Sequence, residues 1–306
     1  MMKKEDFYYL SENKTTKIHA ICWKPEGEVK AVFQMIHGMA EYIERYHAFA
    51  VFLAERGILV VGHDHLGHGT SVTDESQLGY FYQPNGNQCV ISDIHALRMQ
   101  TQTKYKNVPY FMMGHSMGSF LLRQYLGNYA EGVSGAIVMG TGDQPAIALK
   151  GGKLVCKLLA AWKGWHHRSK FVNSLAVGAY EKKLGLGWLS ANQDNVDVYA
   201  KDPLCGFVFT VNGFYHMFDG MDKMNRQEKS GKIPKELPMF FVAGEEDPVG
   251  NFGKGVVKVF ERYKKQGAKN VSLKLYPKDR HEILNESDRE QVYEDLFAWL
   301  HKFGCV

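Results

Sequence analysis

One serine in this 306-residue chain is framed in a way that suits nucleophilic chemistry. Gly114-His115-Ser116-Met117-Gly118 follows the apolar run Val108 to Met113 and precedes Ser119 to Tyr129, where Phe120, Leu121, Gln124 and Tyr125 recur at helical spacing. A strand, a sharp turn and a helix in that order leave the serine hydroxyl exposed at the apex. The chain crosses itself so closely there that a Cβ is excluded at both outer positions, which accounts for the two glycines. A plain surface turn would show the same five letters, and the flanking strand and helix argue against it.

A serine hydroxyl is a poor nucleophile at neutral pH and needs a base to take its proton, with a third group to hold that base in one tautomer. Two late loops offer partners. Asp247 lies in Gly244-Glu245-Glu246-Asp247-Pro248 after the predicted strand Pro238 to Ala243, and His281 lies in Lys278-Asp279-Arg280-His281-Glu282 after the predicted strand Val271 to Tyr276. Glu245, Glu246 and Asp279 compete from the same loops, and Asp143 competes from the end of the strand Ala136 to Met139. Attack on a carbonyl would create an oxyanion, and losing one of its donors costs about 2.7–4 kcal/mol. The backbone N–H of Met117, at the start of its helix, is one donor; that of Met39, in His37-Gly38-Met39-Ala40-Glu41, is the expected second. The histidines of His63-Asp64-His65-Leu66-Gly67-His68-Gly69 invite a metal reading, but so glycine-rich a loop is more simply a shaped turn, and no metal or cofactor is called for.

These groups need a scaffold. Short apolar runs alternate with helical patterns, which predicts an α/β fold with a mostly parallel sheet and helices on both faces. Strands are expected at Lys17 to Trp23, Ala31 to Ile36 and Ile58 to Val61, with helices from about Arg45, over Ser92 to Lys104 and over Phe252 to Lys264. The last helix carries Val292, Leu296, Trp299, Leu300 and Phe303 as one stripe. The alternation lapses over residues 144–235, so this stretch is expected as a helical insertion within one core formed by 1–143 and 236–306. Its apolar faces would seal the insertion on the sheet, cover the site as a lid, or do both.

Composition narrows the class. Hydrophobic residues at 45% and charged residues at 23% are ordinary for a globular chain. A net charge of +4 without a basic stripe argues against nucleic-acid binding, though it leaves room for transient contact between the insertion and a membrane surface. Five scattered cysteines, no secretory signal and no long apolar span lead to the expectation of a cytoplasmic protein. Oligomeric state is not legible.

The motifs together resemble the α/β-hydrolase superfamily, and within it the monoacylglycerol lipase and lysophospholipase-like serine hydrolases. His37 to Glu41 with Arg45-Tyr46, Asp64 to Ser71, the Ser116 pentapeptide, and the Asp247 and His281 to Glu286 loops carry the likeness. The resemblance implies acid before histidine in chain order, hence Ser116, Asp247 and His281 as catalytic residues and Met39 and Met117 as oxyanion donors. It also implies that Gly38, Glu41, Arg45 and His115 support the hole and the polar end of a small ester or lipid substrate. Where animal monoacylglycerol lipases carry a second histidine three positions after the catalytic one, this chain has Leu284. The expected activity is cleavage of esters bearing a single acyl chain. The rivals are an aminopeptidase using Asp194, Asp197 or Asp202, an esterase of small aromatic esters, and a non-catalytic receptor of the same fold.

Overall fold

Burial on both faces explains why the central strands of this chain are nearly continuous apolar runs. In the computed structural model, which describes residues 2–305, the strands are β1 (Lys3–Leu10), β2 (Lys17–Lys24), β3 (Ala31–Ile36), β4 (Ile58–His63), β5 (Tyr110–His115), β6 (Gly135–Met139), β7 (Met239–Gly244) and β8 (Val271–Tyr276). They form one sheet in the order β1-β2-β4-β3-β5-β6-β7-β8. Every residue of β3 to β7 is buried. The pairs β1–β2 and β2–β4 are antiparallel, and the remaining pairs are parallel. β1 is absent from the sequence expectation because Lys3-Lys4-Glu5-Asp6 reads as charged chain; at a sheet edge such residues face water and keep other strands away.

The helices are α1 (His47–Ala54), α2 (Gly86–Lys104), α3 (Met117–Tyr129), α4 (Ala146–Lys163), α5 (Lys170–Ala176), α6 (Gly178–Leu184), α7 (Gln193–Lys201), α8 (Val211–Lys229), α9 (Lys254–Lys265) and α10 (Arg289–Lys302). One apolar core joins a sheet face to α2, α3, α8 and α9 through Ile94, Leu122, Phe214 and Val259. The other joins the opposite face to α1 and α10 through Phe49, Leu53, Leu296 and Trp299. The helix expected from Phe252 begins at Lys254 instead, because Asn251, Phe252 and Gly253 take left-handed φ values of 50°, 54° and 77°. α2 likewise starts six residues before the expected Ser92.

Between β6 and β7 the chain leaves the sheet for α4 to α8. α8 is set into the α2–α3 face, and at its start Gly213 lets it approach the loop before α2: a Cβ there would lie 2.1 Å from the Gly79 carbonyl oxygen. Thr210 caps this helix by accepting from Gly213 N at 3.1 Å. Its far end is anchored by Glu228, which accepts from Arg123 Nε and Nη2 at 2.8 and 2.9 Å and from Arg262 Nη1 at 2.8 Å. No helix among the described residues is long and apolar enough to cross a membrane.

Candidate active site

Ser116 stands between the end of β5 and the first residue of α3 with φ 54° and ψ −122°, a conformation rarely taken by a residue with a side chain. Its neighbours hold it there. Ser116 N donates to the Met139 carbonyl at 3.0 Å, and the Ser119 hydroxyl donates to the Ser116 carbonyl at 2.6 Å. The two glycines answer to specific close approaches. A Cβ on Gly114 would sit 2.2 Å from the Gly118 carbonyl oxygen, and one on Gly118 would sit 2.1 Å from that of Ile36.

The two late loops meet over the end of β7. A Cβ on Gly244 would fall 2.2 Å from the carbonyl oxygens of both Asp279 and Arg280, so glycine is what allows the Asp247 turn and the His281 turn to cross. His281 Nδ1 lies 3.0 Å from Asp247 Oδ2, and the other carboxylate oxygen accepts from Val249 N at 2.9 Å. Both residues are buried. A carboxylate only accepts, so the imidazole proton belongs on Nδ1. That leaves Nε2 unprotonated, buried and without a hydrogen-bond partner. His281 and Ser116 line one cavity of about 130 Å³ together with Met39 and Met117.

Among the competing acids, Glu245 is exposed and the others have charged neighbours of their own. Asp143 pairs with Arg262 and with Lys258, the latter at 2.5 Å. Glu246 lies 3.6 Å from Arg280 Nε. Asp279 is turned toward Asp288, and burial together with the Asp288 and Glu286 charges pushes its carboxyl up to about 7.

A second layer of charge supports the loop after β3. Glu41 Oε1 accepts from Gly38 N at 2.6 Å and from the Tyr46 hydroxyl at 2.7 Å, which pins the peptide directly before Met39. Arg45 bridges Glu41 Oε2 at 2.8 Å and both oxygens of Glu282 at 2.7 Å. Burial disfavours the Glu41 anion, but the His115 hydrogen bond and the Arg45 charge outweigh it and hold this carboxyl well below the usual range. His115 responds in the opposite sense. Burial lowers its basicity, while the hydrogen bond to Glu41 and the Glu41 charge raise it above the ordinary imidazole value. His115 Nε2 lies 3.1 Å from the His281 carbonyl oxygen, so one ring touches both the Glu41 clamp and the histidine loop.

Asp64 spends its carboxylate on the local turn, accepting from Ile43 N and Thr70 N at 2.9 Å each and lying 2.8 Å from His19 Nδ1. Around it, burial pushes His63 and His68 down to about 3 and keeps them neutral. His68 Nε2 accepts from Ala40 N at 3.4 Å, which ties this loop to the one carrying Met39.

Within the insertion, sequence reasoning singled out none of the residues that stand nearest His281 and Arg45. Trp188 packs over His281 at a ring distance of 5.2 Å, and Tyr199 lies under the Arg45 guanidinium at 4.9 Å. Segment 187–195 is stapled to the histidine loop: Arg280 Nη1 donates to the Gly187 carbonyl at 2.6 Å, Glu282 N to that of Leu189 at 2.8 Å, and Asn195 Nδ2 to Glu282 Oε2 at 2.7 Å. Glu286 adds bonds from the Ser190 hydroxyl at 2.8 Å, Ala191 N at 2.9 Å and Asn192 N at 3.0 Å. These partners come from a stretch without strand–helix rhythm, and the only signal was its excess of polar side chains beside a glycine-rich join. Leu284, at the position of interest in the resemblance, is buried beside Glu41, Tyr46 and His115.

The chain is similar to known proteins over most of its length. The profile of the family described as "Serine aminopeptidase, S33" matches residues 27–288. The monoacylglycerol lipase of Mycolicibacterium smegmatis is 26% identical over 281 residues, covering 91% of this chain and 90% of that protein. The human monoglyceride lipase is 26% identical over 294 residues, covering 91% and 84%. Among solved structures, a thermostable carboxyl esterase from Bacillus coagulans in complex with glycerol superimposes with a TM-score of 0.91 at 28% identity over the whole of both chains. A soluble variant of the Saccharomyces cerevisiae monoglyceride lipase, at 20% identity, shares the fold with a TM-score of 0.77 over 99% of this chain and 97% of that one. With the elbow, the two crossing loops and a match spanning most of its length, this chain belongs to the serine aminopeptidase S33 family of α/β-hydrolases.

Proposed function

We propose that the protein is a serine hydrolase that cleaves carboxylic esters of lipids with a single acyl chain, of the monoacylglycerol or lysophospholipid type. The observation that carries this reading is a paired Asp247–His281 whose free Nε2 shares a cavity with a serine held on a strained elbow. Ser116 attacks the ester carbonyl while His281 Nε2 takes its proton, and Asp247 steadies the imidazolium that results. The Met39 and Met117 N–H groups meet the oxyanion. His281 then protonates the departing alcohol, and the same histidine activates the water that releases the acid from Ser116. Buried Glu41 and Arg45 keep the Met39 loop in place, with Gly38 as its pinned peptide and His115 as the link to His281.

The cavity supports an amphiphilic substrate, because Phe120, Phe207, Met217 and Met221 line it together with the polar Glu41, Tyr199 and Glu282. Relatives named as monoglyceride and monoacylglycerol lipases support the same substrate class. The family description suggests peptidase action as the rival. Such an enzyme would need acids free to hold an ammonium; Glu41 and Glu282, which line the cavity, share the one Arg45 cation, and Asp202 accepts from the Tyr42 hydroxyl at 2.8 Å.

Residues 144–235 act in this reading as a cap. α4 exposes Ile147, Leu154, Leu158 and Trp162 along one side, and α5 exposes Phe171 and Leu175, with Lys150, Lys157, Lys163 and Lys170 among them. A face of this kind supports transient contact with a lipid surface, where the substrate resides. Five free cysteines, four of them buried, support a reducing compartment such as the cytoplasm.

A fluorophosphonate probe should modify Ser116, and Ser116→Ala should lose both that adduct and monoacylglycerol hydrolysis while keeping the native circular dichroism spectrum. Hydrolysis that survives Ser116→Ala would overturn the assignment, and an unlabelled, inactive parent protein would favour a receptor.

A further inference from the structure

A second, smaller chamber lies behind the catalytic cavity, between α2, α3 and α8. It shares Met117, Phe120, Met217 and Met221 with the main cavity, and adds Phe81, Leu121 and Gly220. At about 10 Å³ it has room for little more than one small group as it stands. The residues on the shared wall are the kind that yield, since methionine has three rotatable side-chain bonds and repacks at low cost.

The chamber ends on a polar floor. Asn87 Nδ2 donates to Gln124 Oε1 at 3.0 Å, and Gln124 Nε2 donates back to Asn87 Oδ1 at 2.9 Å. Both residues are buried, and Lys223 Nζ also reaches Asn87 Oδ1 at 3.5 Å; separating the pair to admit an apolar chain would still leave Asn87 Nδ2 and the Gln124 amide without partners. Gly220 of α8 closes over the pair: a Cβ there would stand 2.3 Å from Asn87 Nδ2 and 3.0 Å from Gln124 Oε1. The helix is therefore seated directly on the floor.

We propose that the chamber receives the terminal carbons of a long acyl chain esterified to Ser116, with Met217 and Met221 as a yielding partition and the Asn87–Gln124 pair as the stop that limits chain length. This deepens the ester-hydrolysis reading and rests on it. An apolar tail gains by leaving water until it meets the amides, beyond which each added methylene must displace a hydrogen-bonded group. Acyl preference is then set behind the elbow, by residues that never touch the reacting carbonyl.

The test is kcat/KM for p-nitrophenyl esters from acetate to palmitate, measured on the parent protein, on Leu121→Phe and on the double variant Asn87→Ala/Gln124→Ala. Leu121 lines the chamber and not the main cavity, so phenylalanine there fills the chamber alone. Leu121→Phe should leave acetate turnover within about twofold and lower the longest accepted chains at least about tenfold, the discrimination expected for one methylene of room. The double variant should move the optimum to chains about two carbons longer. Superimposable chain-length profiles for the parent and both variants would overturn the inference. So would a loss on acetate as large as that on long chains, because Leu121 would then be acting through the packing of α3. A parent protein that turns over none of the esters would overturn the ester-hydrolysis reading itself.

Discussion

Replacing Gly118 by alanine tests whether the elbow's geometry, and not only its serine, makes the site. The added methyl would stand 2.1 Å from the Ile36 carbonyl oxygen, 2.6 Å from that of His37 and 2.7 Å from the Ile36 carbonyl carbon. All three are main-chain atoms and none can rotate away, so α3 and the end of β3 must part by about 1 Å to restore ordinary contact. Overpacking of this kind costs about 1–3 kcal/mol, which should appear as a fall of several degrees in Tm. The displaced His37 carbonyl immediately precedes Gly38 and Met39, so the strain passes straight to the proposed oxyanion donor. Losing a donor or misplacing it by about 1 Å costs roughly 100-fold in rate, and kcat for a soluble ester should fall by that order. Gly151→Ala is the control: nothing lies within 4 Å of the added carbon on α4, and the helix gains up to about 1 kcal/mol from the exchange. Gly118→Ala with the parent Tm and kcat, measured by calorimetry and steady-state kinetics, would refute this reasoning.

Two other perturbations are as direct. Asp93 is buried on α2, where it accepts from the Ser11 hydroxyl and from Glu12 N at 2.7 Å each, and burial pushes its carboxyl up to about 7. The folded state thus holds this proton longer than the unfolded chain, so the group erodes stability as pH rises from about 4 to 7 and does so fully above that. Asp93→Asn should gain up to about 4 kcal/mol over the parent at pH 8 and little at pH 4, read from urea midpoints; an equal difference at both pH values would contradict the burial argument. The triple change Leu154→Ser, Leu158→Ser and Trp162→Ser should weaken sedimentation with phosphatidylglycerol vesicles at least about tenfold while acetate ester turnover stays level, and unchanged vesicle binding would exclude α4 as the contact.

The core of this molecule was readable because its signals are local. Parallel strands such as β3, β4 and β7 are mostly apolar, and a glycine-framed serine between strand and helix has few other uses. Asp247 and His281 could be named because each sits a few residues past such a strand. Their pairing, and the crossing permitted by Gly244, belong to the assembled sheet and left no mark in either segment alone. β1 was missed because edge strands are polar by necessity. Trp188, Asn195 and Tyr199 were missed for a deeper reason: they act through partners about 90 to 160 residues away, and irregular chain without periodicity gives no register by which to pair them.

The bonds from Arg280, Glu282 and Glu286 to segment 187–195 have a consequence for how this enzyme can diversify. The stretch that shapes the space above the substrate is also the bracket that fixes the imidazole, so a change in taste and a change in catalytic alignment are inherited together. Grafting this stretch from a relative would bring foreign anchors to His281. Variation is cheaper on the outward side of α4 and in the recess beneath Gly220, where neither alteration tugs on that ring.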